Sequence, residues 1–182
     1  MKKLLSLLGI SLVLFLAACG DSEDASDKTN ASDETATEEN TEDTKALSSA
    51  LLKNHIAVAN TVRNQYATVN AYIAETANEE ADAEALETLK ADALTAADEA
   101  IAALDSYELT EADSFTEEAK TTYEEAVSEV KGAFEAYKEA IESDATDFNA
   151  ADEKIAAYTE KATTLFEEAG LSSTPDLATE LQ

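Results

Sequence analysis

Residues 119–141 read AKTTYEEAVSEVKGAFEAYKEAI. Ala119, Tyr123, Ala126, Val130, Ala133, Tyr137 and Ala140 alternate at spacings of four and three, and Val127, Phe134 and Ile141 widen the same stripe. That period places the apolar side chains on one face of an α-helix and the charges on the other. A helix of this kind is stable only when its stripe is covered. Three further stretches carry comparable stripes. Leu52, His55, Ala59, Val62, Tyr66, Val69 and Ile73 mark the first, and Leu86, Leu89, Ala93, Ala97, Ile101 and Leu104 the second. Phe148, Ala151, Ile155, Tyr158, Ala162, Leu165 and Ala169 mark the fourth. From residue 46 onward the only glycines are Gly132 and Gly170 and the only proline is Pro175, which leaves little turn chemistry for strands. The expected fold is all-α: an antiparallel bundle of four helices over 46–77, 79–105, 112–143 and 147–169, behind a disordered acidic linker.

The boundaries have their own signals. Asn78, followed by Glu79, Glu80 and Asp82, reads as an N-cap with an acidic first turn. No glycine or proline stands near it, so a bundle of three helices with one long first helix is the alternative. Ser114-Phe115-Thr116-Glu117 has capping-box spacing, and Asp144 through Asp147 reads as a turn. Gly170 is the expected C-terminal cap, and Thr174-Pro175-Asp176 the start of a short last helix with proline at its first position. Alanine-rich seams predict closely spaced helices and modest stability, firmest between the third and fourth.

Ahead of the bundle, residues 20–45 contain no Leu, Ile, Val, Met or aromatic residue, and hold ten acids against two lysines. Such a segment cannot offset the entropy of ordering and reads as a flexible tether. Its root-mean-square span is roughly 25–30 Å. Full extension reaches about 80–90 Å.

The N-terminus opens with Lys2 and Lys3 and continues through an apolar stretch from Leu4 to Leu16, broken by Ser6, Gly9 and Ser11. It closes on Leu16-Ala17-Ala18-Cys19, and Cys19 is the only cysteine. A basic start, an apolar middle and small residues make a secretory signal, and the apolar run is shorter than the roughly 20 residues a membrane span needs. The L-A-A-C ending resembles the lipobox of bacterial lipoproteins. The resemblance implies cleavage between Ala18 and Cys19, loss of residues 1–18, and a diacylglyceryl group on the Cys19 thiol. Residues 19–45 become the lipidated tether and 46–182 the domain. The implied location is the outer, extracytoplasmic face of the cell membrane, since two acyl chains anchor stably where one does not. Gly20, next to the cysteine, is not the aspartate associated with inner-membrane retention in two-membrane bacteria.

Charge narrows the partners. The net charge is −28. Loss of Lys2 and Lys3 with the signal takes the mature chain to about −30. This field excludes a nucleic-acid partner and a polybasic grip on anionic lipid.

Motifs for catalysis and cofactors are missing. No G-x-S-x-G turn, phosphate-cradling glycine loop or Glu-x-x-His pair occurs, and the oxygen-bearing cluster Asp144, Asp147, Asn149, Asp152 and Glu153 lacks the glycine an EF-hand loop requires. His55 is the sole histidine. On an apolar stripe its ordinary role is a satisfied hydrogen bond; a pH switch or metal ligand is the functional alternative. Tyr66, Tyr123, Tyr137 and Tyr158 belong with the core, while Tyr72 and Tyr107 sit at stripe margins as candidates for a partner-facing surface. The expectation is a non-enzymatic binding, adaptor or structural module of the cell envelope. It has no cofactor, no catalytic residue and no metal ligand. Its partners are the membrane, through Cys19, and an envelope protein or cell wall. The alternatives are a bundle that binds cations or a small ligand, and, less favoured, a small extracytoplasmic enzyme. The oligomeric state is open.

Overall fold

The computed structural model describes residues 34–182. Cys19, Ala18, the signal and residues 20–33 of the tether lie outside the described residues. The chain forms α1 (Glu34–Thr76), α2 (Ala83–Asp105), a 3-10 turn (Ala112–Ser114), α3 (Glu117–Glu142), α4 (Asn149–Glu168) and a one-turn α5 (Leu177–Glu180). No strand occurs among the described residues. The fold is the expected antiparallel helical bundle, with four long helices.

Helix α1 starts at Glu34, well ahead of the boundary at 46. The stretch from 34 to 45 contains no glycine or proline, and extending an existing helix costs far less than nucleating one. Its acids also lie at the helix N-terminal end, where the macrodipole favours negative charge. At 43 residues, α1 is about 65 Å long.

The first two helices are separate. Asn78 is not the N-cap of α2. Its side-chain carbonyl accepts the Glu80 N–H at 3.0 Å and its backbone carbonyl the Ala81 N–H at 3.1 Å, which turns the chain locally. Asp82 is the cap, accepting the N–H groups of Glu84 and Ala85, each at 3.0 Å. Two short polar side chains therefore end and restart the helix without glycine or proline, by offering the backbone alternative partners.

The cap of α3 is Thr116, not Ser114. Its hydroxyl accepts the Ala119 N–H at 3.1 Å, and Ser114 closes the 3-10 turn instead. Helices α3 and α4 end alike. Asp144 (φ 55°) and Gly170 (φ 72°) adopt the left-handed conformation, and in each case the following N–H reaches back to close the last turn, Ala145 to Ala140 O at 2.9 Å and Leu171 to Phe166 O at 2.8 Å. Asp144, which bears the greater steric cost of that conformation, also receives an ion pair from Lys90. Pro175 lies one position before the cap of α5. Asp176 is that cap, with the Thr179 N–H at 3.1 Å.

Ion pairs record the antiparallel registers. Asp98 meets Lys138 and Asp105 meets Lys131, each at 2.6 Å, so α2 and α3 run in opposite directions. Lys154 meets Glu129 at 2.8 Å and Lys161 meets Glu125 at 3.2 Å between α3 and α4. These pairs lie at the surface, where they select register more than they add stability.

Core positions on α3 and α4 follow the expected stripes. Phe166 joins them, while Ala140 and Phe148 are only half-buried. The inward face of α2 is nearly all alanine, with Ala93, Ala96, Ala97 and Ala100 buried alongside Leu104. Helix α1 departs from its stripe. Leu52 is 39% exposed, and the buried residues there are Leu51, Asn54, His55 and Val58. At the other end Tyr72 is buried and Ile73 is half-buried.

Helix α1 packs along α2, α2 along α3 and α3 along α4. Helices α1 and α4 touch at only a few points, and the C-terminal segment lies between them with Pro175, Leu177 and Leu181 buried.

Candidate functional site

Two adjacent residues of α1, Asn54 and His55, are the buried polar side chains of the described core. They face different neighbours and hold different parts of the chain.

Asn54 is fully buried. Its amide nitrogen donates to Ala50 O at 2.8 Å and Thr110 O at 2.9 Å. Its carbonyl oxygen accepts the Thr110 N–H at 2.9 Å and the Tyr107 hydroxyl at 2.8 Å. One side chain thus pins the connection between α2 and α3. Tyr107 is half-buried with its hydroxyl engaged, while Tyr72 is buried and so does not present the partner-facing surface expected of it. Burial raises the Tyr107 phenol to about 12.

His55 is 3% exposed. Its Nδ1 lies 2.7 Å from the Tyr158 hydroxyl and its Nε2 2.9 Å from Glu180 Oε1. The Tyr158 hydroxyl in turn lies 3.3 Å from that of Tyr123. The neutral ring that suits this chain is protonated on Nε2. Nε2–H then donates to the Glu180 carboxylate, Tyr158 O–H donates to Nδ1, and Tyr123 O–H donates to the Tyr158 oxygen. The His55 ring stacks on Tyr158 (centroids 5.8 Å, interplanar 18°) and meets the edge of Phe166.

Both imidazole nitrogens are committed, to a phenol and a carboxylate. Among the described residues the ring's hydrogen-bond partners are a phenol and a carboxylate and not a serine or threonine hydroxyl, so no nucleophile–base pair is assembled from them here. The arrangement braces α1, α3, α4 and α5 against one another. Burial pushes the phenols of Tyr123, Tyr137 and Tyr158 well above the ordinary tyrosine range, so none is a base near neutrality.

The acids near 144–153 disperse. Asp144 pairs with Lys90, Asp147 accepts the Asn149 N–H at 3.0 Å, and Asp152 accepts the Tyr137 hydroxyl at 2.7 Å. Among the described residues no three His, Cys, Asp or Glu side chains converge as a metal site. Screening of the acidic surface is the effect of cations that this dispersed arrangement predicts. Thermal melts in sodium chloride and in calcium chloride at matched ionic strength should coincide; a saturable extra shift at micromolar calcium would contradict this.

Clefts open on the surface of the described residues. One, of about 520 Å³, lies between the end of α2, its following loop and α3; Tyr107, Leu109 and Val127 face it, and Lys120 and Lys131 stand at its rim. Another, of about 470 Å³, lies in the α1–α4 seam beside α5 and is lined by Tyr66, Ile155 and Thr159 on one side and Thr174, Asp176 and Ala178 on the other. Hydrogen bonds from Thr179 hold the Asp176 carboxyl below its usual range.

Asn54, Glu180 and Arg63 were not legible as site residues. For Asn54 the available signal was its spacing from Leu51 and Val58, three and four residues away, a stripe one position off the one anchored on Leu52. Glu180 and Arg63 carried no local signal, because their partners lie more than a hundred residues away in sequence. Comparison of the chain with protein-family models, with curated proteins and with solved structures finds no match.

Proposed function

We propose that the protein is a lipid-anchored extracytoplasmic lipoprotein whose acidic helical bundle works as a non-enzymatic binding or adaptor module of the cell envelope. One observation carries the location: Cys19 is the sole cysteine and stands directly after an apolar segment ending Leu16-Ala17-Ala18. Its thioether-linked lipid would hold the chain at the outer face of the membrane. The acidic residues that follow would keep the bundle off the bilayer, because like charges repel the chain from itself and from anionic headgroups.

The use of the buried polar groups supports a module rather than an enzyme. His55, the side chain best suited to proton transfer, is sealed from solvent with both nitrogens occupied. Asn54 spends its side-chain hydrogen bonds on the α2–α3 connection and on the Ala50 carbonyl of its own helix. The chain invests its interior polarity in holding elements together.

Expression of the full chain in a bacterial host with labelled palmitate tests the anchor. The wild-type protein should carry the label and sediment with membranes. Cys19→Ser should drop the label to background and leave the protein unprocessed or released. A correctly cleaved Cys19→Ser protein that stays on the membrane would overturn the assignment. Cross-linking in intact cells tests the adaptor role, which requires a discrete protein or cell-wall adduct.

A further inference from the structure

Among the described residues, the bundle does not close on itself at the α1–α4 seam. The sequential pairs α1–α2, α2–α3 and α3–α4 share long faces, while α1 and α4 meet at few points and are bridged by the C-terminal residues. Helix α5 has only four residues, too few to be helical alone. The groove therefore imposes its conformation.

What holds the segment is simple. Leu177 (0% exposed) and Leu181 (2%) are four residues apart and enter the core, with Pro175 buried ahead of them. Between the two leucines, Glu180 receives the His55 Nε2–H at 2.9 Å, and the Arg63 Nε–H donates to the Glu180 carbonyl at 3.2 Å. The connection back to α4 starts at Gly170 in a left-handed conformation and runs through exposed Ser172, Ser173 and Thr174. This is a short apolar occupant on a polar hinge.

The groove is also roomier than its occupant. Beside the segment it opens as the 470 Å³ cleft, walled by Tyr66, Ile155 and Thr159 and bounded by the segment's own Thr174, Asp176 and Ala178. We propose that the α1–α4 seam is a docking groove for an amphipathic helix of a partner protein, held in the resting chain by its own residues 174–182. The partner helix carries apolar residues four apart in place of Leu177 and Leu181, and an acid in place of Glu180 that reaches His55. It carries bulkier side chains on the flank toward the cleft, which fill it. That filling supplies its advantage, because the tethered segment competes at a high effective concentration. The inference rests on the binding-module reading and is independent of the lipid anchor.

The test uses the full chain carrying Leu177→Asp and Leu181→Asp together, which keeps the segment but prevents it from docking. The probe is a labelled synthetic peptide of residues 170–182, followed by fluorescence anisotropy. The variant should retain its helical circular dichroism and bind the peptide saturably. The wild-type chain should bind it at least ~10-fold more weakly, since its own segment occupies the site. A Glu180→Gln peptide should bind the variant several-fold more weakly than the parent peptide. Equal binding to variant and wild type, or none to a folded variant, overturns the groove.

Hydrogen exchange on the wild-type chain gives a second measurement. The amides of Thr179, Glu180 and Leu181 should exchange well ahead of those of Val130 and Ile155. Exchange of both sets together, or a variant that loses its helices, would show the segment to be an integral part of the core and overturn the proposal. Loss of the groove alone leaves the module reading standing, since the cellular cross-link judges that separately.

Discussion

Asn54→Leu should lower the stability of the bundle by about 2–3 kcal/mol, although leucine matches asparagine in size and is the more apolar residue. The substitution removes one side chain and orphans several groups. The Thr110 N–H and C=O would face a hydrocarbon, and the Tyr107 hydroxyl would keep only its longer bond, 3.2 Å, to the backbone carbonyl of residue 54. A buried group left without its partner costs about 1–3 kcal/mol, and the loop's partial exposure lets water recover some of that. For a domain of this size the melting temperature should fall by roughly 5–10 °C. The damage should be local first: amide exchange should accelerate from Tyr107 to Thr110 while the α3–α4 pair stays protected. Asn54→Asp should be worse, since its carboxylate would face the carbonyls of Ala50 and Thr110 with no donor to offer. Unchanged loop exchange in the leucine variant would show that the connection is held by its own turn chemistry.

Alkali should unfold the protein steeply. Tyr123, Tyr137 and Tyr158 are buried, and burial raises all three phenols far above the ordinary value of 10.0. The neutral, protonated phenol is the form the fold accepts. Below about pH 10 both folded and unfolded chains carry it, and the stabilisation is fully present. Above about pH 10 the unfolded chain loses these protons and the folded chain keeps them, so stability falls as pH rises. Each such tyrosine costs about 1.4 kcal/mol per pH unit, and three together about 4 kcal/mol per unit. A bundle of ordinary stability at the low end, about 5 kcal/mol, should reach its midpoint near pH 11. Phenolate absorbance from the buried rings should then appear together with loss of helical circular dichroism. Tyr123→Phe should reduce the pH slope by about 1.4 kcal/mol per unit. Phenolate formation by these rings with the helices intact would mean that water reaches the His55–Tyr158–Tyr123 chain without unfolding.

The two sets of effects separate what was legible from what was not. The helices of the α3–α4 hairpin could be read because their stripes are long, repeat without a break and carry bulky residues at most turns. Tyr123, Val130, Phe134 and Tyr137 fall where that period places them. In α1 the stripe is diluted by alanine and asparagine. Leu52 and Leu51 are equally apolar, and only the facing helix decides that Leu51 is buried and Leu52 exposed. Asn78 and Asp82 compete as caps for the same helix, and the backbone geometry of the turn favours Asp82. The site residues were harder still. Asn54 finds its partners, Thr110 and Tyr107, 56 and 53 positions away, and Glu180 meets His55 across 125 positions, separations at which no local pattern marks either pairing.

Local order along this chain follows from residue types and their spacing: an all-helical bundle, its acidic surface and the turns at Asp144 and Gly170. Those features arise within a few residues of chain, where period, capping and side-chain charge act directly. Tertiary structure alone decided that α1 and α4 leave a seam, that residues 174–182 fill it, and that His55 joins Tyr158 to Glu180. Such contacts link residues more than a hundred positions apart, and no local preference encodes them. They follow from which faces remain uncovered once the helices have packed.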